Sequence, residues 1–235
     1  MTPPERGRPG RADDPPKAAP ADLPGTLTRG AEALGLVLSE GAARRLLAYV
    51  ALLGKWGAVY NLTAIRDPAR ILVEHVLDAL AIDPVLRRHL DLDTASVADV
   101  GSGAGLPGLP LAIVHPTARL LSIEPVGKKI AFQRQVCAEL ALTNVELHAG
   151  RAEGVRRPTD LVLCRAFASL AAFLRASAGL QRPGTLLAAM KGRRPEVDDE
   201  VAALPGSVAV EVVPVSVPFL EAHRHLVLMR VAAPA

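Results

Sequence analysis

Three glycines and two carboxylates hold the chemistry most readable in this chain. The segment Asp99-Val100-Gly101-Ser102-Gly103-Ala104-Gly105-Leu106-Pro107-Gly108 follows the apolar run Ala95-Ser96-Val97-Ala98 and precedes Leu109-Pro110-Leu111-Ala112-Ile113-Val114. The first run has strand character and the last reads as the start of a helix. A glycine turn between strand and helix lets a ligand lie against bare backbone, and the helix start offers unpaired N–H groups. Gly103, Gly105 and Gly108 also satisfy a G-x-G-x-x-G spacing, a weak signal by itself because glycine-rich turns are common. The two acids sharpen it. Asp99 stands two residues before the first glycine, where it can fix the loop by accepting N–H bonds or accept from a ligand ammonium. Glu124 closes the next apolar run, Arg119-Leu120-Leu121-Ser122-Ile123-Glu124.

That run reads as a second parallel strand. A carboxylate at its end, about 20 residues beyond the loop, can accept both hydroxyls of an adenosine ribose. The pairing fits NAD and S-adenosylmethionine (SAM) alike. The flanking segments discriminate: Asn61-Leu62-Thr63-Ala64-Ile65, Glu74-His75-Val76-Leu77-Asp78, Gly127-Lys128-Lys129, Gly150-Arg151-Ala152-Glu153, Cys164-Arg165-Ala166-Phe167-Ala168-Ser169 and Met190-Lys191-Gly192. In this order and spacing the chain resembles the bacterial RsmG (GidB) family, from about Gly41 to near Val231. N-L-T-A-I, G-S-G-A-G-L-P-G-L-P and R-A-F-A-S-L are its most specific pieces.

The resemblance implies a class I SAM-dependent methyltransferase with a Rossmann-like α/β fold, acting on guanine N7 in 16S rRNA. It implies that Gly101, Gly103, Gly105 and Leu106 lie against the methionine part of SAM, with Asp99 beside them and Glu124 on the ribose. Ala152 and Glu153 match the family's adenine contact, and Arg165 its cofactor-pocket arginine. Two departures stand out: Glu124 occupies the place of the commoner aspartate, and the N-terminal tail is extra. The implied partner is 16S rRNA or the small ribosomal subunit as an assembly intermediate, with the enzyme a monomer and no metal required. Positioning of the reactants, with no acid–base residue, is the expected catalytic device.

The elements that must position these residues follow from pattern. Half of the 235 residues are apolar, enough for a core. Residues 1–25 are rich in Pro, Arg and Asp without an apolar stretch, and are expected to form a disordered tail. Residues 26–93 read as a helical leader and 94–235 as the methyltransferase domain, the two forming one compact unit. Helices are expected over Thr26 to Leu38 and Gly41 to Val59, where Leu46, Tyr49, Val50, Leu53 and Trp56 make one apolar stripe. A third starts at Pro68 with Asp67 as its cap, and a short fourth near Asp83-Pro84.

From Val97 strands and helices alternate, which implies a parallel, doubly wound sheet with its ligand at the strand C-termini. Strands are expected at Val97–Val100, Leu120–Glu124, Val145–His148, Leu161–Arg165 and Gly184–Met190. Helices start near Pro107, Gly127, Ser169 and Pro195. The last runs, Val208–Val217 and His225–Val231, have no helix between them and must pair antiparallel. An antiparallel last strand is typical of SAM methyltransferases and not of NAD domains.

Charge is a weaker guide. The net charge is +3 and the pI about 9.1, too mild to establish nucleic-acid binding. Lys128-Lys129, Arg156-Arg157 and Lys191-Gly192-Arg193-Arg194 sit near element ends, as either a basic rim around a cofactor pocket or a solvated surface. Lys191, Arg193 and Arg194 are the expected phosphate contacts. His75 and Asp78 share a helix, and a core-facing His75 is favoured over a catalytic one. Arg165 has a competing role as an ion-pair partner of Asp99 or Glu124. Cys164 reads as a buried, inert thiol. Two cysteines without a disulfide framework and no 18-residue apolar stretch place the chain in the cytoplasm, away from membranes. Two alternatives remain at this level: an NAD-binding oxidoreductase, and a non-catalytic RNA-binding ribosome-assembly module.

Overall fold

A computed structural model describes residues 22–60 and 62–231. Most of the expected tail, and Asn61 of the N-L-T-A-I segment, lie outside the described residues. Helix α1, Leu23–Ala33, begins inside the span 1–25 expected as tail: Asp22 accepts a 2.9 Å hydrogen bond from the Gly25 N–H and caps it. That helix stops well before Leu38. Gly35, with φ +70°, takes the left-handed C-terminal position, and the Leu36 N–H returns to the Ala31 carbonyl at 2.9 Å.

Helix α2, Glu40–Tyr60, carries the apolar stripe, with Leu46, Tyr49 and Leu53 fully buried. Each fully buried Leu of this kind contributes about 1.5–3 kcal/mol. Helix α3 spans 68–80 and changes winding along its length. It has an α-helical start at Pro68–Ile71, a π-helical middle at Leu72–Leu77 and an α-helical end at Asp78–Leu80. Asp67 caps it as expected, accepting from the N–H groups of Ala69 and Arg70. The short α4, Asp83–Leu86, follows.

The sheet contains β1 (Ser96–Val100), β2 (Arg119–Glu124), β3 (Val145–Ala149), β4 (Leu161–Arg165), β5 (Leu186–Lys191), β6 (Val208–Pro214) and β7 (His225–Val231). Their order is β3-β2-β1-β4-β5-β7-β6. The first five are parallel, and β7 runs antiparallel to both β5 and β6. The last strand is thus inserted between β5 and β6. Gly184, at φ +91°, turns the chain ahead of β5, and so the strand begins at Leu186, not at Gly184.

Side chains of successive strand residues alternate between two apolar layers. Leu161, Leu163, Leu186 and Ala188 join the leader helices and α5 (Gly108–Val114) in one core. Val162, Cys164, Leu187 and Ala189 join α7 (Leu170–Ala176) and α8 (Arg194–Ala202) in the other. Helix α6, Gly127–Glu139, follows β2 and adds Phe132 and Val136 to the first core. The leader therefore shares its core with one face of the sheet. Chain order reverses between β1 and β4, which opens a crevice at their C-terminal ends.

Candidate functional site

The glycine loop leaves β1 at that crevice. Gly101, Gly103 and Gly105 have φ values of +68°, +60° and +86°. At Gly105 glycine is demanded twice, since a Cβ there would also sit 2.3 Å from Leu109 Cδ1. The loop is held from three sides. Glu124, buried at the end of β2, accepts from the Gly103 N–H through Oε2 at 2.8 Å and from the Val126 N–H through Oε1 at 2.9 Å. Below the loop, the buried Ser122 hydroxyl lies 2.7 Å from that of Ser102 and 2.6 Å from Gln133 Oε1. Gln133 Nε2 donates to Ser102 Oγ at 2.8 Å and to the Gly103 carbonyl at 2.9 Å. From the leader, the Tyr49 hydroxyl donates to the Ala104 carbonyl at 2.9 Å. Burial holds that phenol far above its usual pKa, so it stays a neutral donor.

Asp99 is fully buried at the root of the loop. Its Oδ2 accepts from the Gly108 N–H at 2.9 Å, while Oδ1 has no partner among the described residues. Burial pushes its pKa up to about 7. The Gly108 N–H opposes the shift, the Glu124 charge adds to it and Arg165 opposes it. Arg165, at the end of β4, carries a matching orphan: its Nη1 is buried without a partner among the described residues. An unpaired buried acceptor and an unpaired buried donor therefore stand on the neighbouring strands β1 and β4, close enough for Arg165 to act on the Asp99 charge. Left alone, each costs free energy.

The rest of Arg165 is fixed on α3. Its Nη2 lies 3.2 Å from Asp78 Oδ2, 3.0 Å from the Glu74 carbonyl and 3.4 Å from His75 Nδ1. The ion-pair partner is thus Asp78, and neither Asp99 nor Glu124 as the sequence suggested. The π-helical turn that crosses the end of β4 gathers Glu74, His75 and Asp78 there, as such turns often do at functional sites. The other Asp78 oxygen takes Arg224 Nε, just ahead of β7, at 2.8 Å. His75 is half-buried at the rim and not core-facing. Its Nε2 lies 2.7 Å from Thr63 Oγ1. Burial and the nearby Arg165 charge lower its pKa, so the ring is neutral at pH 7.

The remaining expected site residues divide. The turn after β3 is tied to β2 by the Gly150 N–H on the Glu124 carbonyl at 3.2 Å, which brings buried Ala152 and exposed Glu153 to the same edge. Leu106 is buried under the loop. Lys191 is not a surface cation. Its Nζ sits 2.8 Å from both Glu200 oxygens and 3.2 Å from the Phe167 carbonyl. Arg193 and Arg194 are exposed and pair with Glu196 and Asp198 of their own helix. The expected basic rim loses Arg157, which pairs with Glu146 near the start of β3 at the opposite edge. A groove of about 500 Å³ at that edge includes Arg119, Arg157 and Arg182, the last two neutralised by Glu146 and Asp160. Cys164 is buried, and burial holds its thiol well above the usual pKa, which removes it as a nucleophile.

Tyr49, Ser102, Ser122, Gln133, Asp78 and Arg224 are site residues that sequence reasoning did not assign. Two left a trace: Ser122 is a polar residue inside an apolar strand, and Gln133 a polar one on the buried side of α6. Among the described residues no helix is long and apolar enough to cross a membrane.

The sheet order, the antiparallel β7 and the glycine crevice define the Rossmann-like fold of SAM-dependent methyltransferases. Solved relatives of that fold include TrmN from Thermus thermophilus (TM-score 0.53, 20% identity, 68% of this chain and 53% of that one). A SAM-dependent methyltransferase from Aquifex aeolicus is another (TM-score 0.52, 19% identity, 69% of this chain and 93% of that one). Within this class the chain belongs to the family described as rRNA small subunit methyltransferase G, whose pattern matches residues 42–227. Ribosomal RNA small subunit methyltransferase G of Burkholderia multivorans is 50% identical over 208 residues, covering 86% of this chain and 89% of that protein. The protein of the same name from Burkholderia pseudomallei is 46% identical over 220 residues, covering 91% and 93%.

Proposed function

We propose that this chain transfers a methyl group from SAM to N7 of a guanine in 16S rRNA, in the cytoplasm, on the small subunit or an intermediate in its assembly. The observation that carries this reading is the orphan pair at the crevice. Asp99 Oδ1 seeks a cation or a donor and Arg165 Nη1 seeks an anion or an acceptor. A ligand with an ammonium and a carboxylate on one carbon, the amino-acid end of SAM, satisfies both. NAD has no such zwitterion, and an antiparallel strand between β5 and β6 does not suit that alternative.

Bound SAM supplies an activated methyl on a sulfonium sulfur. Asp99 and Arg165 would hold its amino-acid end, and the bare loop at Gly101 and Gly103 would allow close approach. Glu124, which already braces the loop, has lone pairs left for the ribose hydroxyls, and the Ala152–Glu153 turn would contact adenine. A guanine N7 lone pair held in line could accept that methyl, the electrons of the S–CH3 bond remaining on sulfur. The products are S-adenosylhomocysteine and a cationic 7-methylguanine. No proton leaves N7, so no general base is needed, and both nitrogens of His75 are already engaged. The protein's task is to hold two reactants in line.

Two measurements test this. Calorimetry should detect SAM binding and no NAD binding. Labelled SAM incubated with small subunits lacking the modification should yield 7-methylguanine by mass spectrometry. Any other methylated base refutes the acceptor assignment, and absence of transfer favours the non-catalytic module.

A further inference from the structure

Phe167, in the R-A-F-A-S-L segment, has no part in the roles assigned above, yet several interactions converge on placing it. Beyond Arg165 the chain leaves the sheet through Ala166, whose φ of +56° is left-handed backbone that residues with a Cβ rarely adopt. Two charged groups hold this turn at both ends. Lys191 Nζ, on a side chain only 10% exposed, donates to the Phe167 carbonyl at 3.2 Å and pairs with Glu200 at 2.8 Å. Glu200 Oε2 accepts from the Leu170 N–H at 2.6 Å. A pair from β5 and α8 thereby clamps residues 167–170.

The clamp fixes Phe167 just beyond the end of β4. Its ring is half-buried and meets Phe173 at 5.7 Å between centroids, tilted by 53°. Its far side, at Cε2, comes within 3.8 Å of the position a Cβ would take on Gly101. The ring thus stands beside the first glycine of the loop, at the end of the strand adjoining β1. The ring packs against the second apolar layer and is only partly covered by it.

We propose that Phe167 is the platform on which the acceptor purine stacks beside the methyl donor, and that Lys191 and Glu200 are positioning residues for it. This rests on the methyltransferase reading above. An aromatic face gives a base a flat apolar support. It also favours the positive charge that moves from sulfur to the purine during transfer, by cation–π attraction. Lys191, expected from sequence to grip phosphate, instead acts through Phe167.

Phe167→Leu stays apolar but removes the π face, and Phe167→Tyr keeps the ring. The full chain is assayed for SAM affinity by calorimetry and for single-turnover methyl transfer to small subunits lacking the modification. Phe167→Leu should lose about tenfold to a hundredfold in transfer rate or in KM for the subunit. Its SAM affinity should stay within about twofold of wild type. Phe167→Tyr should restore transfer. Lys191→Met should lower the rate without changing the salt dependence of RNA binding, unlike removal of a group that grips phosphate. Full activity in Phe167→Leu overturns the proposal. So does a parallel loss of SAM affinity, which would make the ring a cofactor wall. A wild-type protein that transfers no methyl refutes the underlying reading instead.

Discussion

Asp78 Oδ2 lies 3.2 Å from Nη2 of Arg165, and the aspartate is 1% exposed where the arginine side chain is 23% exposed. The carboxylate is therefore the fully buried partner, and the guanidinium keeps some contact with water. With Arg224 on its second oxygen, Asp78 ties α3 to the ends of β4 and β7. Arg165 is thus held in place by the leader helix α3.

Asp78→Asn should accordingly act twice. It leaves two partly buried guanidiniums without a counter-charge, at a cost of about 2–4 kcal/mol, toward the lower end because both arginines keep some contact with water. It also frees Arg165 to swing, so SAM affinity should fall. Urea denaturation and calorimetry read the two effects. A variant equally stable and equally tight would remove the tether from the site.

Asp99 should make cofactor binding sensitive to pH. Its pKa of about 7 in the free protein means that much of the carboxyl is protonated below neutrality. An ammonium at Oδ1 favours the ionised form, so binding below that pKa releases a proton. SAM affinity should rise with pH up to about 7 and level off above, approaching about tenfold per pH unit on the acid side. Calorimetry in buffers of differing ionisation enthalpy should detect the released proton. Single-turnover transfer at saturating SAM should stay flat between about pH 6.5 and 8.5, since N7 bears no proton to remove. A SAM affinity constant from pH 5.5 to 7.5 would show that Oδ1 meets no cation.

Two glycines of one loop should respond in opposite ways. A Cβ on Gly103 points into open space, its nearest neighbour the Gly101 carbonyl oxygen at 4.0 Å. Gly103→Arg should then keep the fold at a cost of about 1–2 kcal/mol for the left-handed backbone and abolish SAM binding. Gly105→Ala collides with Leu109 and should lower the melting temperature more than Gly103→Arg does. The reverse order would misplace the ligand.

Arg193 and Arg194 are exposed and can exchange their helix carboxylates for phosphates. Changing both to Ala should weaken RNA binding and flatten its salt dependence by about 0.7 in slope for each phosphate no longer neutralised. SAM affinity should not follow. An unchanged slope removes α8 from the RNA interface.

The glycine loop, both acids and the alternation of strands and helices were legible in the sequence because each is local. A turn that needs left-handed backbone selects glycine at Gly103 and Gly105, and a strand buried on both faces reads as an apolar run, as at Leu161–Arg165. Even the antiparallel end of the sheet follows locally, from two strands without a crossover. What tertiary structure decided are the partnerships. Nothing in the spacing of Asp78, Arg165 and Arg224 shows that one carboxylate serves two arginines. Nor does it show that Lys191 turns inward to Glu200, or that Tyr49 of an apolar stripe holds the Ala104 carbonyl. A charge or a hydroxyl can be satisfied by any complementary group that folding brings within about 3 Å. Backbone geometry is written residue by residue, but the choice of partner is made only when distant segments meet.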